Sequence, residues 1–278
     1  MQLRTSHIED GPRLRELWKL AFGDDDAYID HFFTRYYAPE RMLVLEEDGQ
    51  VQAMTAWFDM PLVFANGTRI AAAYLYAVAT HPDCRGRGLA GQLLAFADDW
   101  LKEQGFDCVT TVPARPDLHV FFCRNGFVEA FALTQRQYSP NAAGMPAVLR
   151  AVGAEEYALL REGMLTGTDH VSYSRSALDY QRGVCQMSGG GLYRIGERGC
   201  ACVELAGDEV FVKELLVPET ERETAQVAIA QRYPAKRYWV RGPYTGQGEK
   251  WEFAMIKWLV AQSGQELRKD AYLGLAFD

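Results

Sequence analysis

Tyr74-Leu-Tyr-Ala-Val-Ala-Thr-His-Pro-Asp-Cys-Arg-Gly-Arg-Gly-Leu-Ala-Gly-Gln-Leu-Leu94 decides how this 278-residue chain is read. Its apolar first part predicts a buried strand over residues 73–80, followed by a turn at 81–85 and a helix from about Gly86. The first N–H groups of a helix have no intrahelical partner, and the helix dipole adds partial positive charge there. Gly86 and Gly88 allow close approach to the backbone, and Arg85 and Arg87 add full positive charge. Strand, turn and helix together form an anion cradle suited to a phosphate or pyrophosphate.

Two phosphate loops are disfavoured. No Lys-Ser/Thr follows the last glycine, so the nucleotide-hydrolase loop fails. Gly86-x-Gly88-x-x-Gly91 has the dinucleotide spacing, but five residues separate it from the strand. The nearest acidic residue, Asp107, begins the next strand rather than ending it.

Arg85-Gly-Arg-Gly88-Leu-Ala90 is similar to the Arg/Gln-x-x-Gly-x-Gly/Ala signature of the GNAT acetyltransferase superfamily. The resemblance extends over residues 1–137 and includes Phe121-Phe-Cys-Arg-Asn-Gly126-Phe127, similar to the family's Tyr-x-x-x-Gly-Phe. It implies an α+β GNAT fold, with a mixed, mostly antiparallel sheet flanked by helices, and acetyl-CoA as co-substrate. Arg85, Gly86, Arg87, Gly88, Leu89 and Ala90 would then hold the pyrophosphate. Val78, Ala79 and Thr80 would line a V-shaped gap for the pantetheine arm, where a strand amide polarises the thioester carbonyl. Two residues depart from the family pattern. Arg115 replaces the usual Asn, and Phe122 replaces the Tyr that often reprotonates the thiolate. Tyr74, Tyr76, His119 or a water would then supply that proton.

Upstream, a strand near residue 2, an amphipathic helix at 8–22 and an aromatic-rich helix capped by Asp24-Asp-Asp26 are expected. In the family the first two helices roof the acceptor pocket; His31 in the second reads as structural. Strands at 42–46, 51–62 and 68–80 are joined by Asp48-Gly49 and Asn66-Gly67 turns. Strict alternation puts Tyr74, Tyr76 and Val78 on one face of the last strand. Amide formation needs a proton acceptor, for which Glu46, Asp59, His81 or a water held by Tyr74 or Tyr76 are candidates. Tyr74, Tyr76 and Asp59 form the catalytic set.

A linker at 138–147 precedes a second α+β lobe at 148–278. Two helices, three strands, a helix and a strand repeat the order of the first half, as in a degenerate GNAT-like lobe. Its counterpart loop, Val217-Pro-Glu-Thr-Glu-Arg-Glu223, has no glycine and three glutamates that would repel pyrophosphate. The tandem layout resembles enhanced-intracellular-survival-type acetyltransferases without their third domain. In those enzymes the C-terminal carboxylate reaches the active site, which would make Asp278, at the end of a terminal strand, a further candidate.

The net charge of −8 argues against nucleic acid as a partner. Cys84, Cys108, Cys123, Cys185, Cys200 and Cys202 show no metal spacing, and Cys200 and Cys202, on one strand face, read as buried thiols. No apolar run of 18 residues or leader is seen, so a cytoplasmic protein without membrane contact is expected. The resulting expectation is an N-acetyltransferase acting on a small-molecule or peptide amine, with no metal and with homodimer formation open. A CoA-binding module without turnover and an interaction protein are the alternatives.

Overall fold

A computed structural model describes residues 1–141, 144–261, 266–268 and 270–277. In chain order the elements are β1 (Gln2–Thr5), α1 (Gly11–Phe22), α2 (Asp26–Arg35), β2 (Met42–Glu47), β3 (Gln50–Asp59), β4 (Leu62–Val63), β5 (Arg69–Ile70) and β6 (Ala72–Thr80). Next come α3 (Leu89–Glu103), β7 (Cys108–Thr111), α4 (Pro116–Arg124), β8 (Val128–Tyr138), β9 (Leu149–Ala151), α5 (Ala154–Met164) and β10 (His170–Val171). The chain continues with α6 (Arg175–Met187), β11 (Gly191–Ile195), β12 (Gly199–Ala206), β13 (Glu209–Leu216), α7 (Arg222–Arg232), β14 (Arg237–Pro243) and β15 (Trp251–Trp258).

The chain divides into two compact units. One comprises Met1–Pro61, Ile70–Glu129 and Ala254–Glu266; the other comprises Leu62–Arg69, Ala130–Phe253 and Leu267–Asp278. The sequence-based division at 138–147 differs from these units in three pieces: 62–69 and 130–137 group with the second unit, and the far end of β15 groups with the first. The apolar run at 253–260 carries no signal in the sequence of where it pairs.

In the first unit the order is β1-β2-β3-β6-β7-β15. β2, β3 and β6 are antiparallel neighbours, and α3 carries the chain over to β7, which runs parallel to β6. Met255 to Trp258 close the far side against Thr111 to Cys108. One sheet face packs on α3 and α4 through Leu75, Leu93, Leu94, Ala97, Phe122 and Phe127. The other carries Phe58, Tyr74 and Tyr76; Tyr76 meets Trp18 of α1 and Phe32 of α2, and Phe58 stacks on Tyr36 just past α2. The helical spacing of those aromatics is explained by that packing.

The second unit repeats the plan. β11, β12 and β13 are antiparallel, α7 crosses over, and β14 runs parallel to β13. α5 and α6 precede the strands as α1 and α2 do in the first unit. The expected repeat of elements is thus present as a repeat of topology. The terminal segment differs from expectation: residues 273–277 are buried but belong to no strand. Arg161 and Tyr173 hold that segment through its carbonyls, which removes the need for a ladder.

Glu162 of α5 offers a pH test. Burial works to raise its pKa, but the neighbouring His170 and Ser172 side chains and the nearby Arg161 charge hold it at about 2, against the usual 4.5. Arg69 adds an ion pair at 2.5 Å. The folded value lies below the unfolded one, so the stabilisation is complete above about pH 4.5 and fades as pH falls toward about 2. The gap in urea midpoint between the parent chain and Glu162→Gln should therefore narrow across that window. A constant gap would contradict the assignment.

Candidate active site

β6 and its following turn place every cofactor residue expected from sequence on one continuous path. The β3–β6 register runs Ala53↔Thr80 and Met54↔Ala79, then jumps to Ala56↔Tyr76. One extra residue on β6 is therefore a bulge, and Ala77 takes it up with φ of 53°. Buried Thr55 braces the bulge by donating to Tyr76 O at 3.3 Å.

The bulge corrects the expected alternation. Val78 packs with Leu75, Leu89 and Phe122 on the α3 and α4 face, not with Tyr74 and Tyr76. The side-chain period slips by one residue at Ala77, so every side chain beyond it changes face. Nothing in Ala-Val-Ala announces this slip. Left-handed backbone costs a non-glycine residue about 1–2 kcal/mol. Ala77→Gly should accordingly raise unfolding free energy by about 1 kcal/mol in urea titration, and a loss of stability would show that the methyl packs favourably.

On its other edge β6 pairs with β7 only at Ala72, Ala73 and Tyr74. Thr111 Oγ1 adds one bond to Leu75 O at 3.3 Å. From Tyr76 to Thr80 no strand among the described residues takes up that edge. The two strands thus part at the bulge, leaving backbone groups available to an extended ligand. In the second unit the counterpart ladder runs from Glu209↔Arg237 to Val212↔Val240.

The turn beyond β6 is open. Arg85, Gly86, Arg87 and Gly88 are exposed, Leu89 is buried and Ala90 is half-buried. Gly86 and Gly88 have φ of 76° and 77°, and a Cβ at either would meet nothing within 4 Å. These glycines serve conformation and leave free space in front of the backbone. Gly88 caps α3 without any side-chain bond, and the first helical bond runs from Gln92 N–H to Gly88 O at 3.1 Å. The preceding amides are thus the helix's orphan donors.

Arg85 Nε donates to Thr80 O at 3.3 Å, and no carboxylate among the described residues pairs with it. Arg87 is tied to Glu47 at 2.8 Å. Gly91 has another reason: a Cβ there would meet Asn125 Oδ1 at 3.1 Å. The third glycine of the apparent dinucleotide spacing is thus explained by the close approach of α4's end.

The acid–base candidates are differently placed. Asp59 accepts from Arg41 through both oxygens, at 2.9 and 2.6 Å. Glu46 accepts twice from Arg4, at 3.1 and 2.6 Å. His81 Nδ1 accepts the Asp83 N–H at 3.3 Å. His119 faces Glu129 at 2.7 Å. Tyr74 is buried, whereas half-buried Tyr76, next to the bulge, shares a 2.7 Å hydroxyl contact with Tyr28. Phe122 is buried against Phe121 and Phe127. Asp278 lies outside the described residues. The ion-pair partners Arg41 and Arg4 were invisible to sequence reasoning, because each lies far along the chain from its carboxylate.

Comparison with known proteins agrees with this architecture. Residues 2–122 match the family model "Acetyltransferase (GNAT) domain". No curated protein matches the chain. Among solved structures, a GCN5-related N-acetyltransferase from Anabaena variabilis superposes with a TM-score of 0.72 at 14% identity, covering 93% of this chain and 73% of that one. One from Kribbella flavida gives 0.71 at 14%, with 93% and 72% covered. Eis1 from Mycobacterium abscessus gives 0.69 at 11%, with 93% and 74% covered. No helix of the described residues is long and apolar enough to cross a membrane. With the parted strands, the open glycine turn and the family match on the same residues, residues 2–122 form a GNAT acetyltransferase domain, and the chain shares its fold with the N-acetyltransferases above.

Proposed function

We propose that the chain transfers the acetyl group of acetyl-CoA to the amine of a small molecule or peptide. The observation that carries this reading is an uncapped, exposed helix N-terminus flanked by Arg85, continuous with a strand whose ladder to β7 ends at Tyr74. The pyrophosphate would be held by the amides from Gly86 to Ala90 together with Arg85 and Arg87. The pantetheine would extend along Val78, Ala79 and Thr80, completing the edge that β7 leaves open. A β6 amide released from the ladder at the bulge would favour the negative charge that develops on the thioester oxygen.

The amine nitrogen forms its bond to the acetyl carbon, the carbon–sulfur bond breaks with its electron pair on sulfur, and the ammonium proton is lost. Tyr76 is the best placed of the candidates to donate to the departing thiolate, with Tyr28 relaying a replacement proton. Asp59 and Glu46 each face an arginine, so using either as base would mean giving up that ion pair. Domain use follows the same lines: 1–137 carries cofactor and chemistry, 138–147 links, and 148–278 forms a lobe that does not bind CoA.

Thiol release from acetyl-CoA, measured against a panel of amines, tests the reading. Amine-dependent release that falls at least about 10-fold in Tyr76→Phe supports it. Calorimetric CoA binding without release from any amine would favour a second reading, a CoA-binding module. Phe122, a ring without a proton to give, is the observation behind that alternative.

A further inference from the structure

Within the second unit, α6 and β12 bring together three groups that no spacing in the sequence connects. Cys185 and Cys202 are fully buried, with sulfurs 3.4 Å apart. Glu204 Oε1 lies 3.8 Å from Cys185 Sγ. All three donor atoms fall within 4.8 Å of one another. Cys202 and Glu204 share a strand face by alternation, and the helix brings Cys185 onto the same point. Gln181, one helical turn before Cys185, points its amide at the same place, 2.8 Å from Glu204 Oε1 and 3.4 Å from Cys185 Sγ. A half-turn of that amide presents an oxygen in place of the nitrogen.

We propose that Cys185, Cys202 and Glu204 form a binding site for one Zn²⁺ ion, with the Gln181 amide oxygen or a water as fourth ligand. Tetrahedral zinc with sulfur bonds of about 2.3 Å holds two thiolates about 3.8 Å apart. The sulfurs here need to separate by only a few tenths of an ångström. Two thiols lose their protons to solvent as the ion binds. Two thiolates, one carboxylate and Zn²⁺ then leave a single negative charge. Lys213 Nζ, 3.6 Å from Glu204 Oε2, supplies the compensating positive charge. A buried site that is neutral as a whole avoids the cost of an isolated charge. Mixed thiolate and carboxylate donors favour zinc over the softer Cu(I). Glu204 and Lys213, each slightly exposed, give the ion an entrance.

The test uses the full chain, reduced and stripped with a chelator, then titrated with Co²⁺ as a spectroscopic probe. One equivalent should produce near-ultraviolet sulfur-to-cobalt charge-transfer absorption, which one equivalent of Zn²⁺ removes. Cys185→Ala and Cys202→Ala should each lose the two-thiolate band, whereas Cys200→Ala should keep it. Zinc should raise the melting temperature of the parent chain and leave that of Cys202→Ala unchanged. No charge-transfer band in the parent chain would overturn the proposal, whatever the variants do. So would a band that survives in Cys202→Ala, or a Cys185–Cys202 disulfide forming in air in place of metal uptake.

Discussion

Replacing Arg85 and Gly88 together with glutamate is expected to weaken CoA binding by about 100-fold or more in calorimetry while leaving far-ultraviolet circular dichroism unchanged. The magnitude follows from what the turn presents. A hydrogen bond to a charged group is worth about 1.5–3 kcal/mol, so loss of the Arg85 guanidinium already removes about 10-fold or more. Two carboxylates placed at the α3 N-terminus add repulsion toward a pyrophosphate at the point where its charge is greatest. Arg85 has no carboxylate partner among the described residues, so its removal breaks no ion pair in the fold. Gly88 has left-handed backbone, and a side chain there costs about 1 kcal/mol of stability, too little to unfold a domain of this size. Arg85→Glu alone separates the charge effect from the backbone effect. Lys102→Glu, in the last turn of α3 roughly 20 Å away, changes charge without touching the turn and should bind CoA as the parent does. Equal affinity in the double variant and the parent chain would remove the loop from the cofactor site.

The strand, glycine turn and helix proposed to hold the cofactor were legible because they are local. Arg85 to Ala90 follow one strand and open one helix, so adjacency in sequence is adjacency in space. The repeat of helix, strand and crossover in the second half was legible for the same reason, as a sequence of element types. Three things were not. The bulge at Ala77 slips the register, and Ala, Val and Ala suit either side of a half-buried strand equally. The partners of Asp59 and Glu46 are set by a helical turn and an edge strand that only the fold brings near. The return of residues 255–258 to the β7 edge depends on a strand edge that only the folded first unit presents, which no local pattern encodes. The Cys185, Cys202 and Glu204 cluster belongs to the same class, because a helix residue and a strand residue meet without a motif.

Arg161→Met should destabilise the chain by about 3–5 kcal/mol in urea unfolding, the largest loss of any single change considered. Arg161 and Glu214 are 1% and 0% exposed, and Arg161 Nε lies 3.1 Å from both carboxylate oxygens. The same guanidinium donates to Val171 O at 2.7 Å and Leu273 O at 2.8 Å, and it lies 4.4 Å from the centre of the Tyr173 ring. Methionine fills much of the volume but leaves Glu214 with the Tyr157 hydroxyl, at 2.7 Å, as its remaining hydrogen bond. An uncompensated buried carboxylate and the lost charged hydrogen bonds to Val171 O and Leu273 O account for the loss. A buried pair is not in itself a source of stability, so Arg161→Met with Glu214→Leu should recover a large part of it. Such recovery is the non-additivity expected of groups in contact. The pair also fixes where the terminal segment runs. Tyr173 Oη lies 2.7 Å from Leu273 O and 2.5 Å from Leu275 O, and accepts the Leu275 N–H at 2.9 Å. Residues 273–277 have no strand partner, so these side chains supply the hydrogen bonds that a ladder would otherwise give. Arg161→Met should therefore open that segment to limited proteolysis at protease levels that spare the parent chain. A loss below about 1 kcal/mol, or a segment no more accessible than in the parent, would mean that packing of Leu273, Leu275 and Phe277 alone holds it.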